Sequence, residues 1–234
     1  LRKKDLINKL KQIKEQGFVK SFRKGSTGVG YTFEKLLGIQ ENNIPVPDIG
    51  GRLEIKATRK DSNSLLTLFT FNKGIWQIKQ KDLIEQYGYE DEKGRKALKK
   101  TLTFSSSDPT FKLSIDEGNQ SLILYDKKQN EILAIWNLYV IVGKFSTKLD
   151  KVLYVLADRK FDEYKTEYFH YNEIYILSEP NINNFIAAFK DSEIAIDLRM
   201  HLKDNKQSVR NRGTAFRIYE KSIMKLFNKI ERIL

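Results

Sequence analysis

The sequence predicts an α+β (α/β) chain in which helices flank a mixed central sheet, with a second lobe towards the C-terminus. Three observations predict it. Apolar residues recur at helical spacing at Leu6, Leu10 and Ile13. Short β-rich runs separated by polar turns follow from residue 52. The last third alternates strand-like and helix-like segments without a repeat, low-complexity tract or long Pro/Gly linker.

The Leu6/Leu10/Ile13 stripe stands behind Asp5, a capping residue, and ends at Gly17, so it marks an amphipathic helix with a basic outer face. Residues 25–30 are predicted as a flexible loop and 32–37 as a helix carrying Glu34. Residues 52–58 and 65–71 are predicted strands, joined by a polar turn at 60–64 into an antiparallel pair. A charged helix is predicted over 79–100. Strands are predicted at 110–115, 121–125, 131–136 and 152–157, with a short apolar helix at 137–145 between the last two. Residues 167–177 form an aromatic-rich strand, 182–190 a helix, and 219–234 a closing amphipathic helix. The segment 158–165 suggests a division into lobes of residues 1–150 and 151–234.

Composition narrows the function. Lys and Arg number 42 against 30 acids, a formal charge of +12, which favours a polyanionic partner such as nucleic acid or an anionic membrane surface. No run of 18 apolar residues and no signal peptide is visible, so the chain is expected to be soluble, intracellular and without a membrane partner. Zero cysteines exclude disulfides and thiolate metal sites, and His170 and His201 alone offer little to a zinc centre. A metal here is expected to be oxygen-bound and Mg²⁺-like.

The segment Pro47-Asp-Ile-Gly-Gly-Arg-Leu-Glu-Ile-Lys56 carries the chemistry: Pro-Asp, a short spacer, then acid-any-Lys. Cleaving a phosphodiester requires a hard cation held by carboxylates and a cationic group beside the attacking water. In a strand, Glu54 and Lys56 project to one face while Ile55 points into the core, leaving the Ile55 carbonyl to face a metal. Five other acid-any-Lys matches occur, at Asp91/Lys93, Asp126/Lys128, Asp158/Lys160, Glu163/Lys165 and Asp204/Lys206. Only Glu54-Ile55-Lys56 combines an apolar centre, a preceding Pro-Asp and a Gly50-Gly51 turn. Gly28-Val-Gly30 lacks the third glycine and the leading strand of a dinucleotide loop. The aromatic residues Tyr164, Tyr168, Phe169, Tyr171 and Tyr175 read as core packing, and His170 as structural.

Residues 194–213 are predicted as a β-hairpin with Ile194, Ile196, Leu198, Met200 and Leu202 on one face and Asp197, Arg199, His201 and Lys203 on the other. After a polar turn at 204–207, Ser208, Arg210 and Arg212 alternate again. A two-stranded ribbon with such an exposed face fits the DNA major groove, with Asp197, Arg199, His201, Lys203, Arg210 and Arg212 as the candidate contacts.

The run Gly28-Val-Gly-Tyr-Thr-Phe-Glu34, followed by Pro47-Asp48 and Leu53-Glu-Ile-Lys-Ala-Thr58, resembles the MvaI/BcnI family of type II restriction endonucleases. The same arrangement is similar to that of the mismatch-repair nicking endonuclease MutH, whose fold that family shares. The resemblance is specific from Gly28 to Thr58 and looser elsewhere. It implies a restriction-endonuclease-like PD-(D/E)XK core and a C-terminal DNA-recognition lobe. It implies that Asp48 and Glu54 bind Mg²⁺, that Lys56 orients the attacking water, and that Glu34 completes the site by holding Lys56 or a second metal. It also implies a bacterial, cytoplasmic monomer that cuts double-stranded DNA one strand at a time at a short, near-palindromic G·C-rich site. A cognate DNA methyltransferase is expected in the same restriction-modification system, not as a stable complex. A repair nickase needing an activating partner, a non-catalytic DNA-binding module and an RNA-processing nuclease are the competing readings.

Overall fold

The structure is a computed structural model that describes residues 3–39, 47–71, 75–203 and 208–234. The chain forms two compact units that are interleaved in sequence rather than divided at residue 150. Unit 1 holds Leu1–Leu66, Ser146–Asn181 and Glu220–Leu234; unit 2 holds Thr67–Phe145 and Ile182–Tyr219. The reason lies in strand pairing: the motif strand pairs with the strand that begins at Lys151, whereas the strands within residues 194–219 join those within residues 65–102 in another sheet.

Unit 1 begins with α1 (Lys3–Glu15), β1 (Val19–Lys20), α2 (Gly28–Leu37) and β2 (Glu54–Arg59). It resumes with β9 (Lys151–Phe161) and β10 (Glu167–Pro180), and closes with a 3₁₀ helix (Glu220–Leu226) and β14 (Phe227–Arg232). The sheet order is β1-β10-β9-β2, with β14 also on β10. β2 runs parallel to β9 and the other pairs are antiparallel, so the sheet is mixed. Leu6, Leu10 and Ile13 of α1 and Val29, Phe33 and Leu37 of α2 pack on Ile55, Ala57, Leu153, Val155, Phe169 and Tyr171. Asp5 lies in the first turn of α1 rather than capping it, and α2 begins at Gly28, earlier than its periodicity suggests, because Gly28 and Val29 are themselves buried. The aromatic strand is divided as alternation requires: Phe169 and Tyr171 are fully buried, whereas Tyr164, in the turn before it, is 81% exposed. His170 Nε2 meets the Lys14 carbonyl at 3.0 Å, a structural contact.

Unit 2 holds most of β3 (Leu65–Phe71), then α3 (Gln80–Tyr87), β4 (Tyr89–Glu90), β5 (Lys96–Leu102), β6 (Phe111–Asp116), β7 (Ser121–Asp126), β8 (Glu131–Asn137) and most of α4 (Leu138–Lys148). It also holds α5 (Ile182–Lys190), β11 (Ile194–Leu202), β12 (Val209–Asn211) and β13 (Thr214–Tyr219). One sheet has the order β3-β13-β11-β5-β4 with β12 also on β11; β6-β7-β8 forms a separate meander. The core is a chain of rings: Phe145 stacks on Phe185 at 4.4 Å, Phe69 on Phe216 at 5.0 Å, and Phe189 joins both clusters.

Three expectations are overturned. β2 and β3 do not form a hairpin. The apolar run Val152–Val155 gives β2 its partner, while Leu68 and Phe69 draw β3 into the ring cluster of the other sheet. The charged helix over 79–100 stops at Gly88, where the backbone turns extended (φ −81°, ψ 162°) and passes so close to the Ile84 and Ala97 carbonyl oxygens that a Cβ would meet them at 2.3 and 3.0 Å. The chain folds back instead: Asp91 accepts the amides of Lys93 and Arg95, and Gly94 takes φ +68°. The closing helix over 219–234 ends after its 3₁₀ turns, and β14 supplies backbone partners that the second half of β10 would otherwise lack. The turn at 204–207 lies outside the described residues.

Phe33 is fully buried with its ring 5.0 Å from that of Tyr171. Phe33→Ala is expected to cost about 3–5 kcal/mol, read as a lower urea midpoint with an unchanged slope; a loss below about 1 kcal/mol would place Phe33 outside a close-packed core.

Candidate active site and basic sheet face

The Asp48 turn is dictated by two glycines. Gly50 and Gly51 have φ of +58° and +68°, and the Arg52 amide donates to the Ile49 carbonyl at 3.1 Å. Positive φ at both central residues suits glycine pairs and closes a tight antiparallel reversal, here Ile49 against Leu53. The reversal returns Asp48 to the start of β2, where its Oδ2 accepts the Ile55 amide at 2.7 Å.

β2 then presents Glu54 and Lys56 on one side while Ile55 enters the core. Lys56 Nζ donates to Glu54 Oε1 at 2.7 Å, and both side chains are largely buried, 14% and 4% exposed. A second ammonium, that of Lys148, stands 3.5 Å from the same oxygen. Glu54 Oε2 is buried and has no hydrogen-bond partner among the described residues. Such a carboxylate oxygen is costly to bury unless something positive meets it. Among the described residues no group of three or more His, Cys, Asp or Glu side chains is placed to hold a metal ion. The donors at hand are therefore the carboxylates of Asp48 and Glu54 and a backbone carbonyl, a set that fits an ion of the Mg²⁺ type, which keeps water and phosphate among its ligands. Glu34 lies half-buried on α2, which packs on β2. Its Oε1 lies 3.9 Å from where a Cβ on Gly30 would stand.

The polar face of β11 is wider than a hairpin and less exposed. β11 is an interior strand: β5 lies along one side, with β13 and β12 in succession along the other. Asp197 and His201 are each only 8% exposed. Asp197 accepts from Thr101 Oγ1 at 2.6 Å and from Arg217 Nη1 at 2.7 Å. Arg199 donates to the carbonyls of Gly213 and Arg212 and to Thr70 Oγ1. His201 Nε2 meets Arg95 Nη1 at 3.2 Å. Arg95 and Lys99 converge on Asp91, at 2.8 and 2.9 Å, and their hydrogen bonds hold its carboxyl far below the ordinary carboxylate range. Arg95, Lys99, Asp197, Arg199, His201 and Arg212 line a cavity of about 270 Å³. Lys203, Arg210 and Arg212 are exposed, with Arg210 paired opposite His201. The ribbon is thus corrected to one band of a six-stranded sheet, because the segment expected to be helical supplies β5.

With this geometry in place, comparison with known proteins becomes specific. The sequence model of the MvaI/BcnI restriction endonuclease family matches residues 7–227. The chain belongs to the MvaI/BcnI family. A solved structure described as the restriction endonuclease MvaI–cognate DNA substrate complex is 25% identical, covers 100% of both chains and superposes with a TM-score of 0.80. One described as MvaI in the absence of DNA is also 25% identical, covers 98% of this chain and 96% of its own, and gives 0.56. No curated protein matches. As a member of the MvaI/BcnI family the chain is a type II restriction endonuclease, a site-specific nuclease acting on DNA. Among the described residues no helix is long and apolar enough to cross a membrane.

The structure brings Asp48, Glu54, Ile55 and Lys56 together, and gathers Asp197, Arg199, His201, Arg210 and Arg212 on neighbouring strands. Sequence reasoning missed Lys148, which has no motif and arrives through strand pairing. It missed Arg95, Lys99, Thr101 and Arg217 as well. The alternation Ala97, Lys99, Thr101 was the available signal, masked by the surrounding lysines.

Burial, and then the Arg95 charge, push the His201 imidazole below its ordinary value of 6.5. The unfolded chain therefore takes up a proton that the folded one resists. This contribution to stability is present above pH 6.5 and is lost as pH falls below it. An NMR titration is expected to place the His201 midpoint below 6.5; a midpoint above that value would contradict the buried, Arg95-facing arrangement.

Proposed function

We propose that unit 1 carries the chemistry of a Mg²⁺-dependent endonuclease and that the basic sheet face of unit 2 reads double-stranded DNA. The observation that carries this reading is Glu54: one oxygen held by Lys56 at 2.7 Å, the other buried without a hydrogen-bond partner among the described residues, while Asp48 is tied to the same strand through the Ile55 amide. Asp48, Glu54 and the Ile55 carbonyl hold the ion, completing the PD-(D/E)XK pattern. Once bound, Mg²⁺ polarises the phosphate and eases ionisation of the attacking water. Lys56, whose ammonium lies against Glu54 at 2.7 Å, would orient that water. Glu34 positions Lys56 from α2. Recognition is assigned to Asp197, Arg199, His201, Lys203, Arg210 and Arg212. The exposed Arg210 and Arg212 are the best placed to reach guanine O6 and N7. The enzyme acts as a monomer in the bacterial cytoplasm, cutting the strands in turn at a short, near-palindromic G·C-rich site, with a cognate methyltransferase protecting its host.

Asp48→Ala, Glu54→Ala and Lys56→Ala are each expected to abolish cutting of plasmid DNA in Mg²⁺ while leaving specific binding in gel shifts largely intact. Glu34→Ala should lose less. Cutting at the wild-type rate by any of the first three would remove that residue from the site.

Recognition is tested on a panel of single-base-pair variants of the site. Arg210→Ala is expected to lose about 1–3 kcal/mol of discrimination at one position, whereas a phosphate contact would weaken every sequence alike and reduce the salt slope by about one. With a charge of +12 and roughly 6–10 phosphate contacts, raising salt from about 50 to 200 mM should weaken binding by about 10³–10⁵. A flat salt profile would argue against a phosphate-tracking surface.

A further inference from the structure

Lys148 occupies the last turn of α4, and only Leu149 and Asp150 separate it from β9. Because β9 runs parallel to β2 with Val152 opposite Glu54, this short connection delivers a second ammonium to the carboxylate already held by Lys56. The Lys148 Nζ to Glu54 Oε1 distance is 3.5 Å, and the Lys148 side chain is 22% exposed. Its chain neighbours Ser146, Thr147, Asp150 and Lys151 line, with Gly51 and Arg52 of the Asp48 turn, an open cavity of about 470 Å³.

Charge balance gives the arrangement its meaning. Asp48 and Glu54 contribute two negative charges, and Lys56 and Lys148 two positive ones. Lys56 alone satisfies Oε1 with better geometry, so Lys148 adds repulsion towards Lys56 as well as attraction to Glu54. A divalent ion on Oε2 would neutralise the two carboxylates by itself and leave both ammoniums in surplus. The more exposed and more distant of the two is Lys148, so it is the one an arriving ion displaces.

We propose that Lys148 is a positioning residue that competes with the divalent cation for Glu54, holding the buried carboxylate until the cation takes it. This rests on the reading of Asp48 and Glu54 as cation ligands. Competition of this kind sets the cation concentration at which the site fills, without Lys148 touching the reacting atoms.

The test is a double-mutant cycle of Lys148→Met with Glu54→Gln, followed by thermal unfolding in EDTA and in excess Mg²⁺, together with calorimetric titration of the purified proteins with Mg²⁺ alone. Lys148→Met is expected to lower the unfolding midpoint by about 2–4 °C in EDTA. The loss should shrink in Mg²⁺ and disappear in the Glu54→Gln background. The same variant should bind Mg²⁺ about tenfold more tightly, while Lys148→Arg keeps the wild-type affinity. Equal Mg²⁺ affinity in Lys148→Met and wild type would overturn the competition alone. So would a midpoint loss that is the same in EDTA, in Mg²⁺ and beside Glu54→Gln. If the wild-type protein takes up no Mg²⁺, the ligand assignment of Asp48 and Glu54 fails, and the competition fails with it.

Discussion

The parallel pairing of β2 with β9 is the constraint on which the site depends. Glu54 opposes Val152 and Lys56 opposes Tyr154, so the register decides which residues preceding β9 arrive beside the carboxylate. A slip of one residue would turn Glu54 into the core and Ile55 outwards. The apolar core of unit 1 prevents that slip, since Ile55 and Ala57 are packed with Leu153 and Val155 between the sheet and helices α1 and α2. Packing and chemistry are thus fixed by one ladder of hydrogen bonds.

Unit 2 manages charge in a different way. Its sheet carries many cations, yet several are held by acids or carbonyls on the same face: Arg217 by Asp197, Arg95 and Lys99 by Asp91, Arg199 by two carbonyls. Held side chains lose less rotamer entropy when a ligand arrives, which favours discrimination over mere attraction. The exposed Lys203, Arg210 and Arg212 form the outer, more adaptable part of that surface.

Legibility in the sequence followed the range of the interaction. The Gly50-Gly51 turn, the Glu54/Lys56 alternation, helix α5 and strands β6 to β8 are local, and the residues announce them. The partner of β2 could not be read because nothing in residues 54–59 names a strand that begins at Lys151. Lys148 was hidden for the same reason. The helix over 79–100 failed differently: its charged residues suit an exposed helix and a solvated turn equally well, and the chain turns extended at Gly88, a close approach to two carbonyls that only glycine fits. Likewise, the stripe Ile223, Leu226, Phe227 has helical spacing, but the unpaired edge of β10 claims the residues after it.

Interleaving has a consequence for synthesis. β2 emerges from the ribosome well before β9, and the intervening residues 67–145 belong to the other unit. At about 5–20 residues per second, the apolar motif strand waits on the order of ten seconds for its ladder partner. During that interval Ile55 and Ala57 have no sheet to enter, and the nascent chain is exposed to aggregation and to chaperone capture. The nuclease unit therefore cannot pair its motif strand until β9 has been made, which keeps a fragment released before that point from carrying a formed cutting site.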